Sequence, residues 1–190
     1  FNSNHINRTG ITVTGLQYDL DYKISPNFGL DIPMEQISKG NGGSCVLSAY
    51  SSSVINLSNH LTTSLGITAQ YFTLNKNWTV EPRAALKWSF NPKHALALAY
   101  GLHSRREKLD YYFVEQEANG KTESNRYLDF SKAHHFGLTY DWNINSYMHL
   151  KMEPYYQYLF RIPVEENSSF SIINHQSFYL DRILKNRGSG

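Results

Sequence analysis

Alternation with a period of two runs through most of the chain. From Thr79 to Phe90 one parity reads Val80, Pro82, Ala84, Leu86, Trp88 and Phe90, and the other Thr79, Glu81, Arg83, Ala85, Lys87 and Ser89. Such alternation marks a strand with one apolar and one polar face. Leu61 to Tyr71 sets Leu61, Leu65, Ile67, Ala69 and Tyr71 against Thr62, Ser64, Gly66, Thr68 and Gln70. His134 to Ile144 opposes Phe136, Leu138, Tyr140, Trp142 and Ile144 to His135, Gly137, Thr139, Asp141 and Asn143, and Met148 to Val164 carries one long apolar parity. Weaker alternation covers Leu16 to Ile24, Phe28 to Met34, Leu96 to Leu102 and the Ser-rich Cys45 to Leu57. No segment has helical spacing.

The connections between these segments alternate in length. Short turns of turn-forming residues are expected at Ser25-Pro26-Asn27, Ser58-Asn59, Asn91-Pro92-Lys93 and Asn145-Ser146. The links between them vary: a Gly-rich one at Lys39 to Ser44, a brief one at Asn75 to Asn77, a long one from Glu107 to Ser131, and another polar stretch after Val164. Short turns at one end of the strands and longer loops at the other are the signature of an up-and-down outer-membrane barrel. Most strands also exceed the usual five or six residues of soluble proteins and reach the roughly 9–11 that a tilted strand needs to cross a bilayer. Aromatics gather near the strand ends, with Tyr71, Phe72 and Trp78 on the loop side and Trp88, Phe90, Trp142 and Tyr147 on the turn side. The pattern therefore predicts an all-β fold: antiparallel up-and-down strands, about eight of them, forming part of a transmembrane β-barrel over residues 1–190.

Composition agrees. Charged residues are 18% and aromatics 14%, with fourteen Tyr, whereas cytosolic enzymes carry about a quarter charged residues. The net charge of +2 gives no basic face for nucleic acid. Cys45 is the only cysteine, which excludes an internal disulfide or a thiolate zinc site. No apolar run is long enough for a membrane helix, and the negative mean hydropathy is no objection to a barrel, where only alternate residues need be apolar. The chain shows no signal peptide and begins at Phe1 as a piece of something longer would.

Several segments then resemble one family. Val80-Glu81-Pro82-Arg83-Ala84-Ala85-Leu86-Lys87-Trp88 resembles the strand of TonB-dependent outer-membrane receptors that carries a Glu-Pro-Arg signature. Tyr100-Gly101-Leu102-His103-Ser104-Arg105 is similar to a strand end in the Bacteroidetes-type receptors, although Gln is commoner where Arg105 stands. Leu128 to His135 and Glu153 to Tyr158 also look like pieces of these barrels, and Leu184 to Gly190 resembles the approach to a further strand. The resemblance implies a bacterial outer-membrane barrel of twenty-two strands enclosing a plug domain, and nutrient uptake driven through TonB. This chain would supply about eight strands and no plug. Its expected partners are outer-membrane lipid, the plug and TonB system of the parent protein, and a small nutrient.

The same geometry limits the chemistry of the polar parity. Neighbours along a strand point to opposite faces, so His103 cannot easily serve Ser104 as a base, and His134 with His135 cannot share a metal. No catalysis, metal or cofactor is expected. Glu81, Arg83, Lys87, His103, Arg105, His135, Asp141, Lys151, Glu153, Gln157 and Arg161 would face the lumen, chiefly packing against a plug or pairing with each other. The best-placed ligand contacts are His103, Arg105, His135 and Arg161, near the long loops. In the long loop, Tyr111, Tyr112 and Phe113 are candidates for an exposed recognition patch or for an extension of the hairpin. The run Arg105-Arg106-Glu107-Lys108 is read as a solvated loop base. Two rival architectures are a soluble β-sandwich that binds glycan or protein, and a complete eight-stranded barrel, which the absence of a closing strand near Gly190 argues against.

Overall fold

Pairing of long strands dominates the computed structural model, which describes residues 4–24, 34–118, 121–166, 171 and 182–190. The elements are β1 (His5–Ile24), β2 (Glu35–Ser58), β3 (Leu61–Phe72), β4 (Asn77–Asn91), β5 (His94–Arg105), β6 (Glu115–Ala118), β7 (Lys121–Ser124), β8 (Ser131–Asn145), β9 (Met148–Met152), β10 (Tyr155–Glu165) and β11 (Leu184–Ser189). Nine of them form one antiparallel sheet in the order β1-β2-β3-β4-β5-β8-β10-β11, with β9 also on β8; β6 and β7 form a separate ribbon. Neighbours in sequence are neighbours in space, so the topology is up-and-down. The sheet is open, with β1 and β11 at its two edges.

The register fixes the two faces. Leu65 lies opposite Ala84, Ala84 opposite Tyr100, Tyr100 opposite Phe136, and Phe136 opposite Tyr156. One residue further along each strand, Gly66, Arg83, Gly101, His135 and Gln157 form the corresponding row on the other face. Most irregularities fall near strand ends, as at Tyr22/Lys23 and Asn56/Ser58, and the pairing of β10 with β11 shifts around Arg161 in the middle of β10. The apolar face is uncovered: Ile67, Leu86, Trp88, Leu98, Phe136 and Tyr156 are exposed. The buried core lies at the loop end instead, where Val46, Phe72, Tyr111, Tyr112, Leu128, Phe130 and Leu184 pack together.

Several expectations need correction. Lys39 to Ser44 is not a loop but part of β2, paired residue for residue with β1 from Leu16 to Asp21. Its glycines serve close approach rather than a turn. A Cβ on Gly40 would stand 2.4 Å from Phe113 Cδ1, and Gly42 has a φ of 147°. The apolar parity of β1, including Leu16 and Tyr18, lies on the same face as Glu81 and Arg83, so it is no continuation of the apolar stripe. Phe72 likewise is buried under the long loop rather than set at a rim. The segment from Met148 is broken at Glu153-Pro154, although Leu138 N–H still donates to the Pro154 carbonyl across the break. Leu184–Ser189 is itself a strand, on β10. The turn expected at residues 25–27 and the strand expected from 28 lie outside the described residues, apart from Met34, which precedes β2.

The long link between β5 and β8 is folded. Leu109–Phe113 makes a 3-10 turn, β6 and β7 a hairpin, and Asn125–Tyr127 a second 3-10 turn. Val114 bridges to Ser38 of β2. Asn75 and Asn77 each donate a side-chain N–H to the Leu128 carbonyl, at 2.7 and 3.1 Å. Asn125, buried, donates to the Arg182 carbonyl at 2.8 Å and accepts from Leu184 N–H at 2.7 Å. The link is thus tied to β2, to the β3–β4 turn and to β11. Phe72→Ala should remove the platform under Tyr112 at a cost of about 3–5 kcal/mol. The expected outcome is proteolytic cleavage and faster amide exchange within residues 106–130, with β3 to β5 still protected.

Candidate functional site

The polar face carries its chemistry next to the folded loop. Glu81, on β4, is 2% exposed and is held from three elements. Gln70 Nε2 of β3 donates to its Oε1 at 2.8 Å, Arg83 Nη2 to its Oε2 at 2.9 Å, and both the backbone N–H and the hydroxyl of Ser104 to its Oε1. The β4–β5 pairing ends at Arg83/Gly101, which frees Ser104 to turn toward Glu81. Glu107 repeats the arrangement. It is 4% exposed, accepts from the Ser131 hydroxyl, and has Arg105 Nη2 at 3.5 Å. The reading of Arg105 to Lys108 as a solvated run is therefore wrong at Glu107. Arg106 leans over the Phe72 ring, 5.8 Å from its centroid.

His103 and His135 share this face. They sit diagonally on β5 and β8, since His135 pairs with Gly101, and their rings meet edge to face at 4.6 Å. Gly101 makes this possible: a Cβ there would lie 2.8 Å from His103 Nε2. His103, Arg105 and His135 line one cavity of about 410 Å³ with Lys132 and Gln157. The two histidines also border a larger cavity of about 740 Å³ that contains Arg83. Three of the four candidate ligand contacts thus come together.

Arg161 does not join them. It sits at a bulge with a φ of 55°, and its guanidinium Nη1 donates to Asp129 Oδ2 at 2.6 Å. Its carbonyl accepts from Asn186 Nδ2, which also donates to the Asp129 carbonyl. A bulge re-aims the side chain it carries, and here it turns Arg161 into a pin between β10, β11 and the loop.

Tyr111 and Tyr112 do not form an exposed patch: both are buried, Tyr112 against Phe72 at 5.4 Å between ring centroids. Phe113 is half-buried between Tyr18 and Arg126. Apolar rings of this size at the head of an overhanging ribbon find more contact folded inward than pointing into water. The aromatic ring that the loop does expose is Tyr127. The contribution of Glu81 was visible in the alternation, but those of Ser104 and Ser131 were not. Both act where strand ends bend, which alternation does not report.

Among the described residues no group of three or more His, Cys, Asp and Glu side chains is placed to hold a metal ion. The hydroxyls of Ser104 and Ser131 are directed at carboxylates rather than imidazoles. Among the described residues no helix is long and apolar enough to cross a membrane. No family model, curated protein or solved structure matches the chain.

Burial pushes the Tyr112 phenol up to about 12, with the nearby Glu107 carboxylate adding to the effect, and burial does the same to Tyr111, helped by Asp110. A pKa raised on folding means stability that is complete below the ordinary value of 10.0 and is lost as pH climbs through about 12. Loop docking is expected to hold to about pH 10 and to fail between there and about pH 12. Tyrosinate absorbance, followed beside amide exchange of residues 106–130, should show the two events together. Tyr112→Phe should remove one late-titrating phenol and move the undocking to higher pH.

Proposed function

We propose that this chain is a segment of a transmembrane β-barrel in a bacterial outer membrane, and that its parent is a TonB-dependent receptor importing a nutrient. The observation that carries the first part is the uncovered apolar face of a nine-stranded sheet. A soluble protein rarely leaves so wide an apolar surface open. In a bilayer the acyl chains cover it, and the polar face turns to a wet lumen.

The dimensions support this. Trp78 and Phe90, both exposed, lie twelve residues apart on β4. At about 3.3 Å per residue they are separated by about 40 Å along the strand. The usual tilt of about 45° projects that to about 28 Å, close to the roughly 30 Å of a hydrocarbon core. On the turn side Trp88, Phe90, His94 and Trp142 form a run of ring contacts between 5.3 and 5.7 Å, as an interfacial belt would. One group of polar residues that interrupts the apolar face, at β1 and β2, satisfies its members internally. Asn7 Nδ2 donates to Ser51 Oγ at 3.2 Å and to Ser53 Oγ at 2.9 Å, while Thr9 Oγ1 donates to Asn7 Oδ1 at 2.9 Å. Such closure lowers the cost of placing polar groups in lipid.

The alternative, a soluble sandwich, needs a second sheet on the apolar face. The only other sheet among the described residues is the two-stranded β6–β7 ribbon, which is too small to cover nine strands. The receptor part of the proposal rests on the resemblance of residues 80–88 and 100–105 to that family, which brings with it a plug domain, TonB coupling and a small-nutrient ligand. No catalytic role is assigned.

Cysteine scanning of the parent protein in intact outer membranes, on a Cys45→Ser background, tests the location. Positions 83, 85 and 87 should react with a water-soluble reagent, position 81 should be protected by its burial, and positions 84, 86 and 88 should react only with a lipid-soluble one. Equal reactivity of both parities, or absence of the protein from the membrane, would make the soluble binding module the leading reading. A paired substitution gives the energetic test. Leu98→Arg should lower barrel stability by about 2–4 kcal/mol, whereas Ala99→Arg, on the polar face, should be tolerated in urea titrations of the refolded protein.

A further inference from the structure

Two cavities on the polar face share a wall. His103 and His135 border both, Arg83 lies on one side, and Arg105 with Lys132 lies on the other. The carboxylates nearby are turned inward: the Glu81 and Glu107 side chains are each 3% exposed and engaged by the donors already described. Their arginine partners are turned outward, with 49% of the Arg83 side chain and 72% of that of Arg105 exposed. Each guanidinium is tied to its carboxylate through Nη2 alone, and a guanidinium has five N–H donors. A solute reaching this region meets guanidinium edges and two imidazoles, with the negative charge held behind them.

We propose that this region binds the oxyanion group of an acidic solute, a carboxylate, sulfate or phosphate, between Arg83 and Arg105 and over the His103–His135 pair. The planar fork of arginine matches such groups. A metal cation fits less well, since two imidazoles without a free carboxylate would have to hold it beside two exposed guanidinium groups. That the site lies on an uptake route rests on the barrel reading above; the binding itself does not.

Sulfate is the probe, because its charge does not change over the range in which imidazole titrates, about pH 5 to 8. Isothermal titration of the full-length protein with sulfate should show saturable binding. Arg105→Gln, which leaves Glu107 its bond from Ser131, should weaken binding by about tenfold, the worth of one charge-assisted hydrogen bond. Arg83→Lys keeps the charge facing Glu81 while removing the fork, and should also weaken it. Gly101→Ala, which displaces the His103 ring without changing any charge, should do the same.

The pH profile separates an anion site from a metal site. Around the imidazoles stand Arg83 and Glu81 from β4, Arg105 at the end of β5, Glu107 beyond it, and Lys132 from β8. The carboxylates are turned away, and arginine and lysine side chains ordinarily keep their charge in this range, so protonation of His103 and His135 should make sulfate bind more tightly on acidification. Replacing both histidines by Gln should flatten that dependence. No saturable binding, binding unmoved by Arg105→Gln and Arg83→Lys, or affinity that falls on acidification would each overturn the proposal. Sulfate binding by a protein absent from the membrane would uphold this site and refute the barrel reading.

Discussion

Antiparallel pairing that does not slip through the middle of six adjacent strands, from β1 across to β8, leaves few of their residues free to choose a side. A slip of one residue would move a whole strand's apolar set to the other face. Held in register, Leu65, Ala84, Tyr100, Phe136 and Tyr156 line one surface, while Gly66, Arg83, Gly101, His135 and Gln157 line the opposite one. Neither surface is covered by a second layer of the sheet's own making. The usual arrangement of a soluble domain, two layers around one core, is absent from the described residues. The apolar surface then requires a medium, and the polar surface becomes the place where charge can be kept.

The folded loop follows from the same register. β2 runs from Glu35 to Ser58, but β3 pairs with it only from Val46 onward, so β1 and β2 extend beyond the sheet as a two-stranded ribbon. A ribbon of two strands is marginal on its own. Here Phe113 lies against Gly40 and Tyr18, and Val114 bridges to Ser38. The loop supplies the ribbon with an apolar partner, and the ribbon gives the loop something to dock on. That mutual dependence explains why the core of this chain sits at the loop end, where the sheet alone would have none.

The period-two pattern made β3, β4, β5 and β8 legible, together with both faces of each, because there the local sequence determines the outcome. It failed where a residue's role depends on a distant partner. Glycines at 40 and 42 signal a turn when read locally, yet they accommodate rings from residues 113 and 18. The Leu16-Tyr18-Leu20 stripe alternates as well as any other, but which face it joins is decided by pairing with Ser44, Gly42 and Gly40. Glu107 stands in a charged run, and its burial depends on Ser131, which arrives through the pairing of Arg105 with Ser131. Read locally Arg161 is as well placed as His135, but the bulge at its own position turns it toward Asp129. Of the candidate site, the imidazoles and Arg105 could be reached from the sequence, and the carboxylates that orient the guanidiniums could be reached only in part.

Those carboxylates change what the arginines can do. A free arginine on a strand samples many rotamers, and ordering it on a solute would cost up to about 2 kcal/mol of side-chain entropy. Glu81 holds Arg83 from behind at 2.9 Å, and Glu107 stands more loosely behind Arg105 at 3.5 Å, so part of that ordering, chiefly at Arg83, already belongs to the folded state. Burying a carboxylate is itself costly unless its oxygens are occupied. Ser104 and Gln70 for Glu81, and Ser131 for Glu107, meet that need in addition to the arginines. The polar face therefore spends its hydrogen-bonding capacity on fixing two guanidinium groups at the loop end of the sheet. A polar face that needed only hydration would have no use for such anchoring, whereas one that binds a charged group, as proposed above, would.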